Sequence, residues 1–217
     1  DVKRMLMQMR ALTEGGRALS FYAIAAEDRS HHHNDPQQRE RGALWVEMLT
    51  PLVKGWCSEV SMEVASLGVQ VHGGMGFIEE TGAAQYSRDV RVTSIYEGTN
   101  GIQSMDLVGR KLMDGGEAAT ALLDEMSDST KMYCKLNPKL CEAVWEAIES
   151  LRKTTEWMLQ QGDFNNRFAG AVPYLRAFAR IIGAYYHLRA ACSELSGGPR
   201  TRLAQFYINS LLPEHIG

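Results

Sequence analysis

One acidic residue in the middle of the chain has surroundings that suit acid–base chemistry. Glu97 follows the apolar pair Ile95 and Tyr96 and precedes Gly98, so its carboxylate is expected to be partly desolvated. Desolvation raises the pKa of a carboxyl group toward the range of a useful general base. Thr99 and the free N–H groups at the start of the next helix offer a place for an anion or a cofactor oxygen. The residue types also allow a plainer interpretation, in which Glu97 only favours a helix N-terminus.

A second group, Gly73-Gly74-Met75-Gly76, forms a glycine-rich loop after a helical segment. Phe77 and Ile78 follow it, so the order differs from the strand-to-helix arrangement of a dinucleotide fingerprint. Glycines allow the backbone to approach another object closely, either the phosphates of a ligand or a neighbouring chain. A simple helix-terminating turn is the alternative interpretation.

Helices must position both groups, because apolar residues recur at three- and four-residue spacing along most of the chain. No segment alternates convincingly as a strand, and the pattern predicts an all-α protein. Pro51 predicts a kink or the restart of a helix. The predicted helices are 2–28, 37–50, 51–71, 98–113, 117–132, 138–161, 172–194 and 200–211. Gly115 and Gly116 mark the predicted boundary between a helical bundle, 1–114, and a second helical unit, 115–217.

Composition excludes several classes of function. The 217 residues are 45% hydrophobic, which is enough for a folded core. With 23 basic and 26 acidic residues the net charge is −3, so no basic surface for nucleic acid is expected. The four cysteines show no CxxC pair and predict reduced thiols of a cytosolic-type compartment. No apolar run has the length of a membrane span, and His31-His32-His33 lack the companion ligands of a metal site.

Three motifs together resemble one enzyme family. They are the run from Gln70 to Phe77, the pair Arg88-Asp89, and Ile95-Tyr96-Glu97-Gly98-Thr99. Their order and spacing resemble the C-terminal helical domain of the acyl-CoA dehydrogenases over about residues 1–112. The remaining residues, together with the segments 12–19 and 100–103, resemble the long branch of the family, which carries an extra helical C-terminal domain. The methylthiopropanoyl-CoA dehydrogenases belong to that branch. The chain is therefore expected to be the C-terminal part of a longer protein.

The resemblance implies an FAD-dependent reaction. Glu97 would be the catalytic base that removes the α-proton of an acyl-CoA thioester, while the β-hydrogen leaves as hydride to FAD and the 2-enoyl-CoA forms. The backbone N–H of Glu97 and a flavin ribityl hydroxyl would stabilise the developing enolate oxygen. Tyr96 and Gly98 would lie against the substrate, and Thr99 would contact the cofactor. Gly101 departs from the Gln that many shorter members carry, so that cofactor contact is not implied.

The resemblance also implies an assembly. Gln70, Gly73 and Gly74 match a loop that touches FAD bound mainly by a second subunit, so a homodimer or homotetramer is expected. Arg88 and Asp89 match a pair that braces the loop between helices and performs no chemistry. An electron-transfer flavoprotein is the expected partner, in the cytoplasm or the mitochondrial matrix of a eukaryote. The fragment alone is expected to be inactive, because other domains complete the flavin and acyl pockets.

Two alternatives belong beside this reading. An acyl-CoA oxidase performs the same half-reaction with oxygen as acceptor. A non-catalytic relative, either a helical scaffold or a nucleic-acid-associated flavoprotein of the same fold, is the other. The presence of Glu97 argues against a non-catalytic scaffold. The excess of acidic over basic residues argues against binding to nucleic acid. Nothing in the sequence specifies the length or branching of the acyl group.

Overall fold

A computed structural model describes residues 1–194 and 197–216 of the chain, and these residues form helices and turns without any strand. The predicted all-α fold is confirmed. The α-helices are α1 (Val2–His32), α2 (Pro36–Val71), α3 (Gly74–Phe77), α4 (Ala83–Val90), α5 (Asn100–Asp106), α6 (Glu117–Tyr133), α7 (Pro138–Gln160), α8 (Phe164–Ala169), α9 (Ala171–Cys192) and α10 (Pro199–Phe206). Three 3₁₀ turns accompany them, at Glu79–Thr81, Arg91–Ser94 and Leu212–Ile216.

The two longest helices, α1 and α2, pack against each other, and a short link joins them. Asp35 caps the start of α2, where its Oδ1 accepts from the N–H of Gln37 at 3.0 Å, and Pro36 occupies the first turn. The expected restart at Pro51 is wrong, because α2 continues through it. Pro51 is buried on the packed face of this helix, so tertiary contacts outweigh the backbone hydrogen bond that a proline cannot donate.

The helix predicted over 98–113 is shorter and less regular than expected. It begins at Asn100, ends as α-helix at Asp106 and continues as a π-helical turn over Leu107–Lys111. A Cβ at Gly109 would lie 2.8 Å from the ring of Phe168, so this turn approaches α8 at a distance that only glycine permits. The π-helical turn therefore packs against a partner about sixty residues away, and no local pattern signals this contact.

Helix α9 lies at the centre of the fold. It contacts α1, α2, α5, α6, α7 and α10, and its residues are buried on almost every side, as expected for an internal helix. The buried apolar residues form one continuous cluster from Ala11 to Leu212. The two predicted units therefore share a core, and the division after residue 114 stays a prediction. In the described part of the chain, none of the helices combines the length and the apolar character that crossing a membrane requires.

Two glycines allow α1 to pack closely, Gly15 against the C-terminal helices and Gly16 against α2. A Cβ on Gly15 would lie 3.3 Å from the ring of Tyr207, and one on Gly16 would lie 3.5 Å from the Sγ of Cys57. Nearby, His187 of α9 is buried and its Nε2 lies 2.9 Å from the carbonyl oxygen of Ala11. These contacts fix α1, and with it the first half of the chain, to the second half.

Candidate functional site

Glu97 lies in a loop between the 3₁₀ turn Arg91–Ser94 and helix α5. Its φ is 53°, and it is the only residue other than glycine with a positive φ within residues 1–194 and 197–216. Gly98 follows with φ 82°, so two successive residues adopt left-handed conformations. An L-residue in this region costs about 1–2 kcal/mol, and such strain persists only where the surrounding structure enforces it.

The loop turns sharply before it reaches α5. The N–H groups of Ile95 and Tyr96 both donate to the carbonyl of Val92, at 2.9 and 3.1 Å. A Cβ on Gly98 would lie 2.8 Å from the Nε2 of Gln103, so the glycine serves both its backbone conformation and this close approach. The glycine that follows Glu97 is therefore required by the shape of the loop.

Thr99 is the N-cap of α5. Its Oγ1 accepts from the N–H of Ile102 at 3.3 Å, and its carbonyl accepts from the N–H of Gln103 at 3.0 Å. Its hydroxyl hydrogen is free to donate, because the cap uses only the oxygen. The side chain suits both a structural role in starting the helix and a contact with an acceptor outside it.

The expectation that Glu97 is partly desolvated is wrong for this chain taken alone. The residue is exposed, and its apolar neighbours Ile95 and Tyr96 are themselves 52% and 48% exposed. The loop lies at the surface, and the side chains that were expected to cover the carboxylate point into solvent as well. Any apolar cover must therefore come from outside these 217 residues.

The glycine-rich segment forms the turn after α2 and the short helix α3. Gly73 has φ 61° and its N–H donates to the carbonyl of Gln70 at 3.0 Å, while Gln70 itself is exposed. A Cβ on Gly73 or Gly74 would meet nothing within 4 Å, whereas one on Gly76 would overlap the carbonyl of Val69. Gly76 is needed for the turn, and Gly73 and Gly74 leave the backbone open to an approaching group.

The structure does not bring the two groups together. The loop after Glu97 rests on α2 near Ser58, where the side chain of Asn100 contacts that residue. Gln70 lies twelve residues further along the same helix, roughly 18 Å at 1.5 Å per residue. Glu97 with Thr99 and Gln70 with the glycines therefore lie at different positions along α2.

Arg88 of α4 contacts the turn after the glycines. Its Nη2 donates to the Oε2 of Glu79 at 2.7 Å, an exposed ion pair of the kind that contributes little to stability. The bracing role expected for Arg88 stays a prediction. Over the described residues, His, Cys, Asp and Glu side chains form no group of three that could hold a metal ion.

A large apolar groove lies elsewhere. A cavity of about 870 Å³ runs between α1, α2 and α4, and Phe21, Ile24 and Tyr86 at its edge are more than half exposed. Glu97 does not line it. The groove and the loop of Glu97 are therefore different features of this surface.

The sequence interpretation missed the residues that hold the loop. Before Glu97, the Oγ of Ser94 lies 3.6 Å from the Sδ of Met62 on α2, and the Nη1 of Arg91 donates to the same hydroxyl at 2.5 Å. After it, Asn100 contacts α2. The partners are 32 to 46 residues apart in sequence, so no local pattern could have revealed them.

Two families match the chain. Residues 1–113 match the acyl-CoA dehydrogenase C-terminal domain, and residues 119–217 match the family described as acetyl-CoA dehydrogenase C-terminal like. The first match contains every candidate site residue. The second begins just after Gly115 and Gly116.

Curated relatives give the same family. The chain is 44% identical over 181 residues to 3-methylmercaptopropionyl-CoA dehydrogenase of Ruegeria pomeroyi, covering 81% of this chain and 31% of that protein. It is 36% identical over 129 residues to a butyryl-CoA dehydrogenase of Syntrophomonas wolfei, covering 59% of this chain and 21% of the relative. The chain therefore spans less than a third of the length of these relatives.

Two solved structures share the fold. Caenorhabditis elegans ACDH-11 in complex with C11-CoA superimposes with a TM-score of 0.76 and 22% identity, over 96% of this chain and 36% of that one. An acyl-CoA dehydrogenase from Bacillus anthracis complexed with FAD gives 0.65 and 17% identity, over 98% and 40%. At these identities the likeness concerns the fold.

Proposed function

The chain belongs to the acyl-CoA dehydrogenase family, and on that basis we propose that it is the C-terminal part of an FAD-dependent enzyme that oxidises an acyl-CoA thioester to the 2-enoyl-CoA. The 44% identity to a methylmercaptopropionyl-CoA dehydrogenase makes a short, sulfur-containing acyl group the first substrate to test. The matched segment covers 31% of that relative, so the proposed activity belongs to an enzyme longer than these 217 residues.

The observation that carries the proposal is the backbone of Glu97. Within the described residues it alone among non-glycine residues is held at positive φ, and it lies in the Tyr-Glu-Gly-Thr motif. Strained residues gather at active sites, where the surrounding structure keeps them in place. A carboxylate that only favoured a helix N-terminus would not require this conformation.

Glu97 acts in the proposed reaction as the base. Its carboxylate would take the α-proton of the thioester, and its own N–H would donate to the carbonyl oxygen as negative charge develops there. Tyr96 and Gly98, its neighbours in the loop, would line the thioester end of the substrate. The α-proton of a thioester is weakly acidic, so the base works best with water excluded, and that cover belongs to the rest of the enzyme.

The residues assigned to the cofactor fit a group that approaches the backbone. The space around Gly73 and Gly74 is open, Gln70 is exposed beside them, and Thr99 retains a hydroxyl hydrogen to donate. FAD, when bound, supplies the acceptor for the hydride that leaves the β-carbon. Gln70 and the glycines lie further along α2 than the anchor of the Glu97 loop, and in a homodimer or homotetramer the two groups would serve different FAD molecules.

The test is anaerobic bleaching of the flavin absorbance of the full-length protein by a panel of acyl-CoA thioesters that includes methylthiopropanoyl-CoA. Glu97→Gln should slow bleaching by about 10²–10⁴-fold, the usual contribution of a general base. Glu156→Gln, at an exposed position of α7, is the matched control and should bleach normally. Bleaching that survives Glu97→Gln would overturn the assignment of the base.

The same preparation identifies the electron acceptor. A dehydrogenase needs an electron-transfer flavoprotein for steady turnover, whereas an acyl-CoA oxidase would release peroxide in air without one. Peroxide formed at the rate of turnover would replace the proposed dehydrogenase with the oxidase. Absence of flavin reduction by every thioester would refute both.

A further inference from the structure

Asn100, the first residue of α5, connects the loop of Glu97 to α2. Both the oxygen and the nitrogen of its side-chain amide contact residues of that helix. Its Oδ1 accepts from the Nζ of Lys54 at 3.0 Å and lies 2.9 Å from the Oγ of Ser58. Its Nδ2 donates to the carbonyl of Gly55 at 3.2 Å. The lysine can only donate and the carbonyl can only accept, so these partners also decide which way the amide faces.

The residues of α2 that Asn100 contacts lie in a tightly packed part of the fold. Ser58 is only 7% exposed, and Gly55 lies on the buried face of α2. A Cβ on Gly55 would lie 2.9 Å from the Cδ1 of Leu175, so α9 packs tightly behind the carbonyl that receives the amide of Asn100. A side chain bound here is held by the core of the protein.

The loop therefore runs between two attachment points on one helix. Ser94 contacts Met62 on one side, and Asn100 contacts Ser58 on the other. These two positions of α2 are four residues apart, roughly 6 Å along the helix axis. The five residues between the attachments include Glu97 at φ 53°, so the short span is consistent with a left-handed turn that fixed ends enforce.

We propose that Asn100 is a positioning residue for the base Glu97. It has no part in the proton transfer; it holds the end of the loop so that the carboxylate and N–H of Glu97 keep one location. This inference rests on the proposed function. A misplacement of about 1 Å at a reacting group costs on the order of 10²-fold in rate, so loosening this anchor should lower kcat strongly.

The test compares three variants of the full-length holoenzyme by kcat, KM, flavin content and hydrogen exchange of the peptide spanning residues 95–99. Asn100→Ala should lower kcat by about 10²-fold, leave KM within about threefold and leave the flavin content unchanged. Asn100→Asp keeps the acceptor for Lys54 and Ser58 and should recover at least about a tenth of the wild-type rate. Asn166→Ala, at an exposed position of α8, is the control and should match wild type.

Exchange of the loop amides tests the anchor apart from catalysis. It should be faster in Asn100→Ala than in wild type and intermediate in Asn100→Asp. If wild type reduces no flavin with any thioester, the proposed function fails, and exchange still decides whether Asn100 holds the loop. Unchanged exchange, a kcat within threefold of wild type, or equal loss in Asn100→Ala and Asn100→Asp would each overturn the inference.

Discussion

Replacing Glu97 once by glycine and once by alanine separates the backbone strain at this position from the loss of its carboxylate. Both variants remove the carboxylate, and only glycine adopts φ 53° without a steric penalty. The penalty for an L-residue is about 1–2 kcal/mol, and the extra freedom of glycine in the unfolded chain offsets about 0.4–1 kcal/mol of it. Glu97→Gly should therefore be more stable than Glu97→Ala by about 0.8 kcal/mol, taking the middle of both ranges.

Urea unfolding followed by circular dichroism at 222 nm measures this difference. In thermal unfolding the same difference corresponds to about 2–3 °C for a chain of this size. His33 supplies the matched control, because it is exposed with φ −69° and ψ 138°. At that position the order should reverse, and His33→Ala should be more stable than His33→Gly. An alanine at position 97 that is as stable as the glycine would refute the claim that the fold enforces a strained turn there.

Three further predictions concern the rest of the chain. Burial lowers the pKa of His187, so the unfolded state binds the proton more readily than the folded state. The free energy of unfolding should therefore fall as the pH drops below about 6.5, by up to about 1.4 kcal/mol per pH unit. Urea unfolding of His187→Gln should show a weaker pH dependence than wild type. Gly76→Ala should destabilise by about 1–3 kcal/mol because its Cβ overlaps backbone, whereas Gly74→Ala should change stability by less than about 0.5 kcal/mol, and equal effects in thermal unfolding would contradict the turn geometry. Burial raises the pKa of the Cys141 thiol to about 12, so mass spectrometry should find it unmodified by maleimide at pH 7.5 until urea unfolds the chain, and rapid labelling in the native state would contradict that burial.

Local patterns predicted most helices because an amphipathic helix repeats its apolar face every three to four residues wherever it packs. The predictions failed where a distant contact overrode a local signal. Pro51 reads as a breaker, yet α2 continues through it because that face is buried. The π-helical turn after Asp106 faces Phe168, which lies about sixty residues away.

The candidate site divides in the same way. The residue types and spacing of Ile95–Thr99 were enough to single out Glu97 and to indicate its family, since a motif is carried by the sequence itself. Its exposure was not predictable, because apolar neighbours in sequence cover a carboxylate only if the fold turns them toward it. Here Ile95 and Tyr96 both point outward.

By itself, the sequence determined the all-α fold, the family and the identity of the candidate base, because each depends on a local order of residues. Only the tertiary structure decided that Glu97 lies in a left-handed turn, that its loop meets α2 twelve residues before Gln70, and that Asn100 is held by α2. The physical reason is distance along the chain. Hydrogen bonds between residues more than forty positions apart form only when packed helices bring them together, so no short stretch of sequence predicts them.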